Sequence, residues 1–353
     1  MNLFRTKRET NFVYFEQSEK QTLFILLYFR FNIKVVTLRE NFGKINPSKK
    51  TIPISKITDT LDSFFKIKEL EKDPAMSRFV PMVYKQNREW GKIFEPDFLK
   101  RFNGLMMKGA DEVRTVFTAS FPHIEILQKF ISQSQEGDLI FLHHPIPLEC
   151  GDPKGNLGRG FLPINSLLLQ KIVEKRLSIY SCHAPLDYNR KISTNRAITE
   201  ALKAKIESEF LPYGNGYAGL IATINSISTD NLIVRLKKIF GISYIDFAGK
   251  NVGRITKIGV VAGGGDEVEY SQTAKERGAQ AYITGEIFSH YESDWGKQNT
   301  VKLKKYAKTV DISLIGVSHA ASEFLVMKTQ IPKFLKKNLG LPIIPLAQKK
   351  WWV

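Results

Sequence analysis

The chain has 353 residues, 43% of them hydrophobic, so it can bury a sizeable core without disulfide staples and is too apolar to be a disordered tail. The net charge of +17 gathers at the ends, with ten Lys/Arg against four Asp/Glu in residues 1–50 and ten against two in residues 301–353. A nearly neutral body between basic ends argues against a nucleic-acid groove through the body and leaves any polyanion contact to the termini.

Residues 1–50 show no clean period and read as a basic extension, with Lys49, Lys50 and Pro53 marking its boundary; within it, Leu23–Val36 fits a strand pair or a short helix. The apolar run from Leu23 to Phe29 is cut by Arg30, too short to span a bilayer, and Glu9, Glu16 and Glu19 ahead of it do not suit a signal peptide. Two cysteines, Cys150 and Cys182, cannot build a disulfide framework and fit a reducing compartment. The expectation is a soluble, cytoplasmic protein.

From Ile52 onward, Ile54, Ile57, Leu61, Phe64 and Phe65 fall three or four apart, the spacing of one helix face. Lys68 to Lys108 is polar and less regular. Val113–Ala119 reads as a strand, Pro122–Gln133 as its helix, and Gly137-Asp138 as the turn into a strand, Leu139–Leu142, that ends in His143-His144-Pro145. This is β–α–β order, the signature of a parallel sheet. A loop over Glu149–Pro163 leads to a helix over Asn165–Arg176, then to the strand Leu177–Cys182, which ends in His183 with Asp187 four residues on.

Ile198–Phe210 has helical spacing. Gly214-Asn-Gly216-Tyr-Ala-Gly219 then spells G-x-G-x-x-G, but Leu220–Ile224 after it reads as a strand, so a dinucleotide loop is rejected. Leu232–Phe240 is helical. Lys257–Ala262 is a strand running into Gly263, Gly264 and Gly265, where free amides before a helix could cradle a phosphate. Ala281–Thr284 leads into Gly285-Glu286, with His290 a turn later, and Ile312–Val317 leads into His319 and Glu323.

His319 and Glu323 are four apart and share a face if this segment opens a helix. With His143, His144 and Asp187 they make three imidazoles and two carboxylates, all at strand ends, where open α/β sheets present their chemistry. Nitrogen and carboxylate donors without thiolate suit Zn, Fe, Mn or Co. Five ligands are too many for one catalytic ion and suit two divalent ions about 3.5–4 Å apart, bridged by a carboxylate and a hydroxide. His183 and Glu286, each at a strand end near the ligands, are expected helpers in proton transfer or ligand orientation. His290 is a third possible helper, and His123 has no role.

The His143-His144-Pro145 strand end, Cys182-His183-Ala-Pro-Leu-Asp187, Gly259 through Gly265, Thr284-Gly285-Glu286 and His319-x-x-Ser322-Glu323 resemble, in the same order, the motifs of the NIF-three-like dinuclear metal-centre proteins. These are often named type 2 homologues of GTP cyclohydrolase I, and the resemblance covers roughly residues 52–345. It implies an α/β subunit of two lobes, with the metal site at strand C-terminal ends between them. It also implies a ring-shaped homohexamer, and metal ligation by His143, His144, Asp187, His319 and Glu323. On this basis residues 51–212 form the first lobe and 213–353 the second. Tyr217 stands where the family has an arginine and Ser318 where it has a glycine; residues 1–50 have no counterpart, and no large inserted domain is present.

The functional expectation is a dinuclear metal-dependent hydrolase that uses a metal-bridging hydroxide on a nucleotide-like substrate. The alternatives are a metal-dependent phosphoesterase and a non-catalytic metal-binding ring acting as a scaffold or regulator. Nucleic acid is a partner only through the basic ends, and no membrane partner is expected.

Overall fold

Strands that are apolar on both faces need cover on both sides, and two sets of them form the interior of this molecule. The computed structural model describes residues 50–86 and 90–352, together with the backbone of Phe24–Phe29 and Asn32–Thr37, which pair antiparallel. Across Leu23–Val36 the described segments Phe24–Phe29 and Asn32–Thr37 are strands rather than a helix, and the rest of the basic extension up to residue 49 lies outside the described residues.

From Ser48 onward the chain forms one unit with two large sheets. The first has five strands, in the order Ile343–Pro345, Val116–Ala119, Leu139–Leu142, Ser178–Ser181 and Gly104–Met107. Its first four strands are mutually parallel, and Gly104–Met107 closes one edge antiparallel. The second sheet has six strands, in the order Lys205–Tyr213, Gly216–Ile227, Ile255–Gly264, Ala281–Glu286, Ser313–Gly316 and Asp246–Gly249. Here only the three neighbouring strands Ile255–Gly264, Ala281–Glu286 and Ser313–Gly316 pair in parallel. Parallel strands joined by helices deliver all their C-terminal ends to one edge.

The helix His319–Lys328 has nine of its ten residues buried. A helix covered all round carries no polar stripe, and this one packs against strands of both sheets. Thr118 Oγ1 of the first sheet donates to its Met327 carbonyl at 2.7 Å, and Ser322 Oγ accepts from Gly263 N of the second at 2.9 Å.

One expected element is corrected. Ile198–Phe210 is not a single helix: Thr194–Ala201 is helical and Lys205–Tyr213 is a strand. Lys203, at φ 52°, turns the chain out of the helix, so the four-residue spacing of Ile198, Leu202, Ile206 and Phe210 crosses a boundary. The strand turns at Gly214, φ 53°, into Gly216–Ile227 as an antiparallel hairpin. The G-x-G-x-x-G letters therefore mark a β-hairpin, consistent with rejecting a dinucleotide loop. The polar stretch before Lys108 holds two helices, Met76–Val83 and Pro96–Arg101, which the sequence does not announce. No described helix is long and apolar enough to cross a membrane.

Candidate metal centre

The strand Leu139–Leu142 is buried along its whole length, and the sheet ladder continues one step beyond it. His143 N donates to the Ala119 carbonyl and His144 N to that of Ser120, while Ser181 Oγ donates to the His143 carbonyl. Both imidazoles are thus held by main chain at the sheet's C-terminal edge, with ring centroids 4.6 Å apart and planes at 89°. Perpendicular rings on adjacent residues point their nitrogens in different directions.

His143 Nε2 lies 3.0 Å from Asp187 Oδ1, and its Nδ1 lies 3.2 Å from Glu323 Oε2. His144 Nε2 lies 3.2 Å from Glu323 Oε1 and 3.1 Å from Oε2. His319 Nε2 approaches Glu323 Oε1 at 3.0 Å across one helical turn. Glu323 therefore touches all three imidazoles. The structure brings His143, His144, Asp187, His319 and Glu323 together, although they come from both sheets.

The contact between His143 Nδ1 and Glu323 Oε2 is close but not a hydrogen bond. His143 Nδ1 and Glu323 Oε2 are buried without a hydrogen-bond partner, despite their 3.2 Å separation. Buried polar atoms are nearly always paired, so atoms that converge without bonding fit a cation between them. Among the described residues, the groups whose donor atoms could hold a metal ion are His143, His144 and His183; His144, His319 and Glu323; and Cys150, Glu286 and His319. The chemistry of these donors, imidazole and carboxylate with one thiol, Cys150, fits a divalent ion.

Without an ion, protons take its place. Burial opposes a charge on His143, but Asp187 and Glu323 outweigh it and push its pKa up to about 10. Burial likewise opposes charge on His319, and Glu323 reverses that, raising it well above the ordinary value. At His144 burial wins, and the ring is held well below the ordinary value as a neutral imidazole. Burial would raise Glu323, but the three imidazoles outweigh it and keep the carboxyl ionised.

The expected helpers sit beside the ligands. Glu286 Oε2 accepts from His319 Nδ1 at 2.6 Å and from Tyr291 OH at 3.0 Å. Carboxylates in this position orient metal-binding imidazoles. His183 Nε2 is 4.0 Å from Asp187 Oδ2. Gly263, at φ 72°, approaches so closely that a Cβ there would lie 2.5 Å from Glu323 Oε1 and 3.0 Å from His319 Nε2. The first glycine of the triplet thus makes room for the ligands, and its amide is already bonded to Ser322 Oγ. His290 is apart from the cluster, 2.7 Å from Asp246 Oδ2.

Residues 100–350 match the model of the family described as Duf34/NIF3 (NGG1p interacting factor 3). The chain belongs to this family. Among curated relatives is a GTP cyclohydrolase 1 type 2 homolog of Clostridium acetobutylicum, 24% identical over 255 residues, covering 68% of this chain and 85% of the relative. Two solved structures share the Duf34/NIF3 fold. Protein ybgI, of unknown function, superposes with a TM-score of 0.59 at 15% identity over 85% of this chain and all of its own. Staphylococcus aureus hypothetical protein SA1388 gives 0.57 at 16% identity over 84% and 96%.

Three residues at this Duf34/NIF3 site escape sequence reasoning. Phe121 stacks on His144, centroids 4.2 Å apart and planes at 18°, and meets His319 edge-on; it looks like any core aromatic in sequence. Cys150 joins Glu286 and His319, its thiol pushed up to about 12 by burial and then by Glu286. Asp73, fully buried, binds His183 Nδ1 with oxygens 3.0 and 3.1 Å away. The only signal for it was an Asp-Pro step in an irregular stretch.

Proposed function

We propose that the chain is a metal-dependent hydrolase whose centre takes two divalent ions, Zn, Fe, Mn or Co, on His143, His144, Asp187, His319 and Glu323. One observation carries this reading. Glu323 Oε2 is buried between His144 Nε2 at 3.1 Å and His143 Nδ1 at 3.2 Å yet makes no hydrogen bond. A buried anionic oxygen so placed is costly unless a cation shares it.

When bound, two such ions bring the pKa of a water toward neutrality and polarise an electrophilic centre next to it. The chain's own groups supply the rest. Glu286 fixes the His319 ring through Nδ1, and Phe121 shields one face of His144 from water. His183 lies beside Asp187, at the edge of the same cluster, with Nε2 4.0 Å from Asp187 Oδ2. Gly263 and Gly264 border His319 without side chains of their own, and Gly263 also lies against Glu323, too close for a Cβ.

The name of the curated relatives, GTP cyclohydrolase 1 type 2 homolog, supports a nucleotide-like substrate. The family resemblance supports a two-lobed subunit in a homohexameric ring, which sedimentation velocity tests directly. The test of the centre is elemental analysis of protein purified without chelator. About two ions per subunit, sharply fewer in His143→Ala, is the expected result. Metal-free protein, or a His143→Ala variant that keeps its full complement, would overturn the reading. Loaded protein that turns over neither GTP nor simple phosphoesters would remove the hydrolase and leave a metal-binding scaffold.

A further inference from the structure

We infer that His183 is a sixth coordinating side chain of this centre, on its His143 and Asp187 side, and that Asp73 is the positioning residue that aims it. The inference rests on the metal-centre reading above and adds a ligand beyond the five-residue set and a support, Asp73, that the strand-end pattern does not contain.

Asp73 is held from all sides. Its Oδ1 accepts from the main-chain amides of Ala75 and Met76, at 2.9 and 2.8 Å. Its Oδ2 accepts from Asn103 Nδ2 at 2.9 Å and from the Ala184 amide at 3.1 Å. A carboxylate that already takes four N–H donors in a fully buried position is an acceptor only. His183 Nδ1, facing both oxygens, must therefore be the donor. In the neutral ring the lone pair then sits on Nε2.

That nitrogen faces the cluster. The His183 ring centroid is 4.6 Å from that of His144 and 5.0 Å from that of His143. Nε2 is 4.0 Å from Asp187 Oδ2, whose other oxygen is 3.0 Å from His143 Nε2. Two ligands each about 2.1 Å from one ion are at most about 4.2 Å apart, so His183 and Asp187 are within the span of a shared ion. His183 is also fixed through its main chain, its amide donating to Asn103 Oδ1 at 2.6 Å. Only a small rotation of the ring is left to it.

The same construction occurs on the opposite side of the centre. Glu286 ties His319 Nδ1 at 2.6 Å, and His319 Nε2 is directed at Glu323 at 3.0 Å. A carboxylate behind one imidazole nitrogen and a cluster of ligands before the other is how proteins orient a metal-binding histidine and raise its basicity. Both lateral histidines are built this way. A histidine that only filled core space would not need a buried carboxylate of its own.

The experiment uses cobalt(II) as probe, with the full chain, and reads affinity by chelator competition and coordination by the visible d–d bands. Wild type is expected to bind two cobalt ions. His183→Ala is expected to hold one of them at least about ten-fold more weakly with altered bands, and added imidazole should restore the bands. Asp73→Asn should move affinity and spectrum in the same direction by about 10–100-fold. If Asp73→Asn fails to fold, His183→Ala decides, since it leaves the four other hydrogen bonds of Asp73 in place. Wild type that binds cobalt while His183→Ala matches it in affinity and bands would overturn this inference and leave the five-ligand centre standing. Wild type that binds no cobalt would remove both.

Discussion

The two sheets contribute to the centre in different ways. The first supplies His143, His144 and Asp187 from strand ends, and its carboxylate meets few of the other candidate ligands. Asp187 touches His143, Thr194 Oγ1 at 3.0 Å and, at longer range, His183. The second sheet supplies Glu323 on a buried helix, and that one carboxylate reaches three imidazoles. Charge shared by many partners in a buried place does more than charge on a rim, because little water is available to replace it.

The largest expected effect breaks this asymmetry. Glu323→Gln keeps the shape but removes the charge common to His143, His144 and His319, so it should empty both metal positions. Asp187→Asn should empty only the position beside His143. After dialysis, elemental analysis should find close to no metal in the first and about one ion per subunit in the second. Equal losses in the two variants would show that the carboxylates act alike and that the contrast between the sides is wrong.

Much of this contrast could be read from the chain. Strands that are apolar throughout announce themselves, and the residues just past their ends fall at the C-terminal edges of the sheets by topology, so the sequence singles out His143, His144, Asp187, Glu286, His319 and Glu323 as candidates. What the sequence hides arrives from elsewhere. Asp73 lies ahead of a short helix in a polar stretch, and only the folded chain brings it 110 residues along to His183. Phe121 is an aromatic among many. The Ile198–Phe210 misreading has a different origin: helix and strand both allow apolar residues four apart, and only the left-handed Lys203 separates them.

A smaller effect separates the two adjacent imidazoles by pH. In metal-free protein His143 keeps its proton up to about 10 because Asp187 and Glu323 outweigh burial, whereas His144 is neutral. The His143 proton stabilises the fold, and the sign follows from a folded pKa above the ordinary 6.5. That stabilisation is complete below about 6.5 and lost as pH rises toward about 10. A metal ion must displace the proton, so affinity should rise with pH over the same window. Thermal melts with chelator should therefore decline from pH 6.5 to 10, and melts of loaded protein should decline less. Identical pH profiles with and without metal would mean that His143 carries no proton that metal replaces.

The smallest effect concerns how the second side is anchored. Ser318 starts the His319–Lys328 helix at φ 78° and ψ 132°, a region that side chains other than glycine enter at a cost of about 1–3 kcal/mol. Its hydroxyl compensates by accepting from the Ala321 amide at 3.3 Å and donating to the Trp351 carbonyl. Trp351 packs on Phe324 of the same helix, so the C-terminal segment and the ligand helix are joined at this residue. Ser318→Ala and Ser318→Gly both lose the two hydrogen bonds, but only glycine relieves the backbone. Ser318→Gly should therefore melt a few degrees above Ser318→Ala, as about 1 kcal/mol or more separates them. Metal content should be the same in both, since neither hydrogen bond involves a ligand side chain. If alanine melts as high as glycine, the backbone at Ser318 is not strained, and its two hydrogen bonds and the packing of Trp351 on Phe324 anchor the helix without cost.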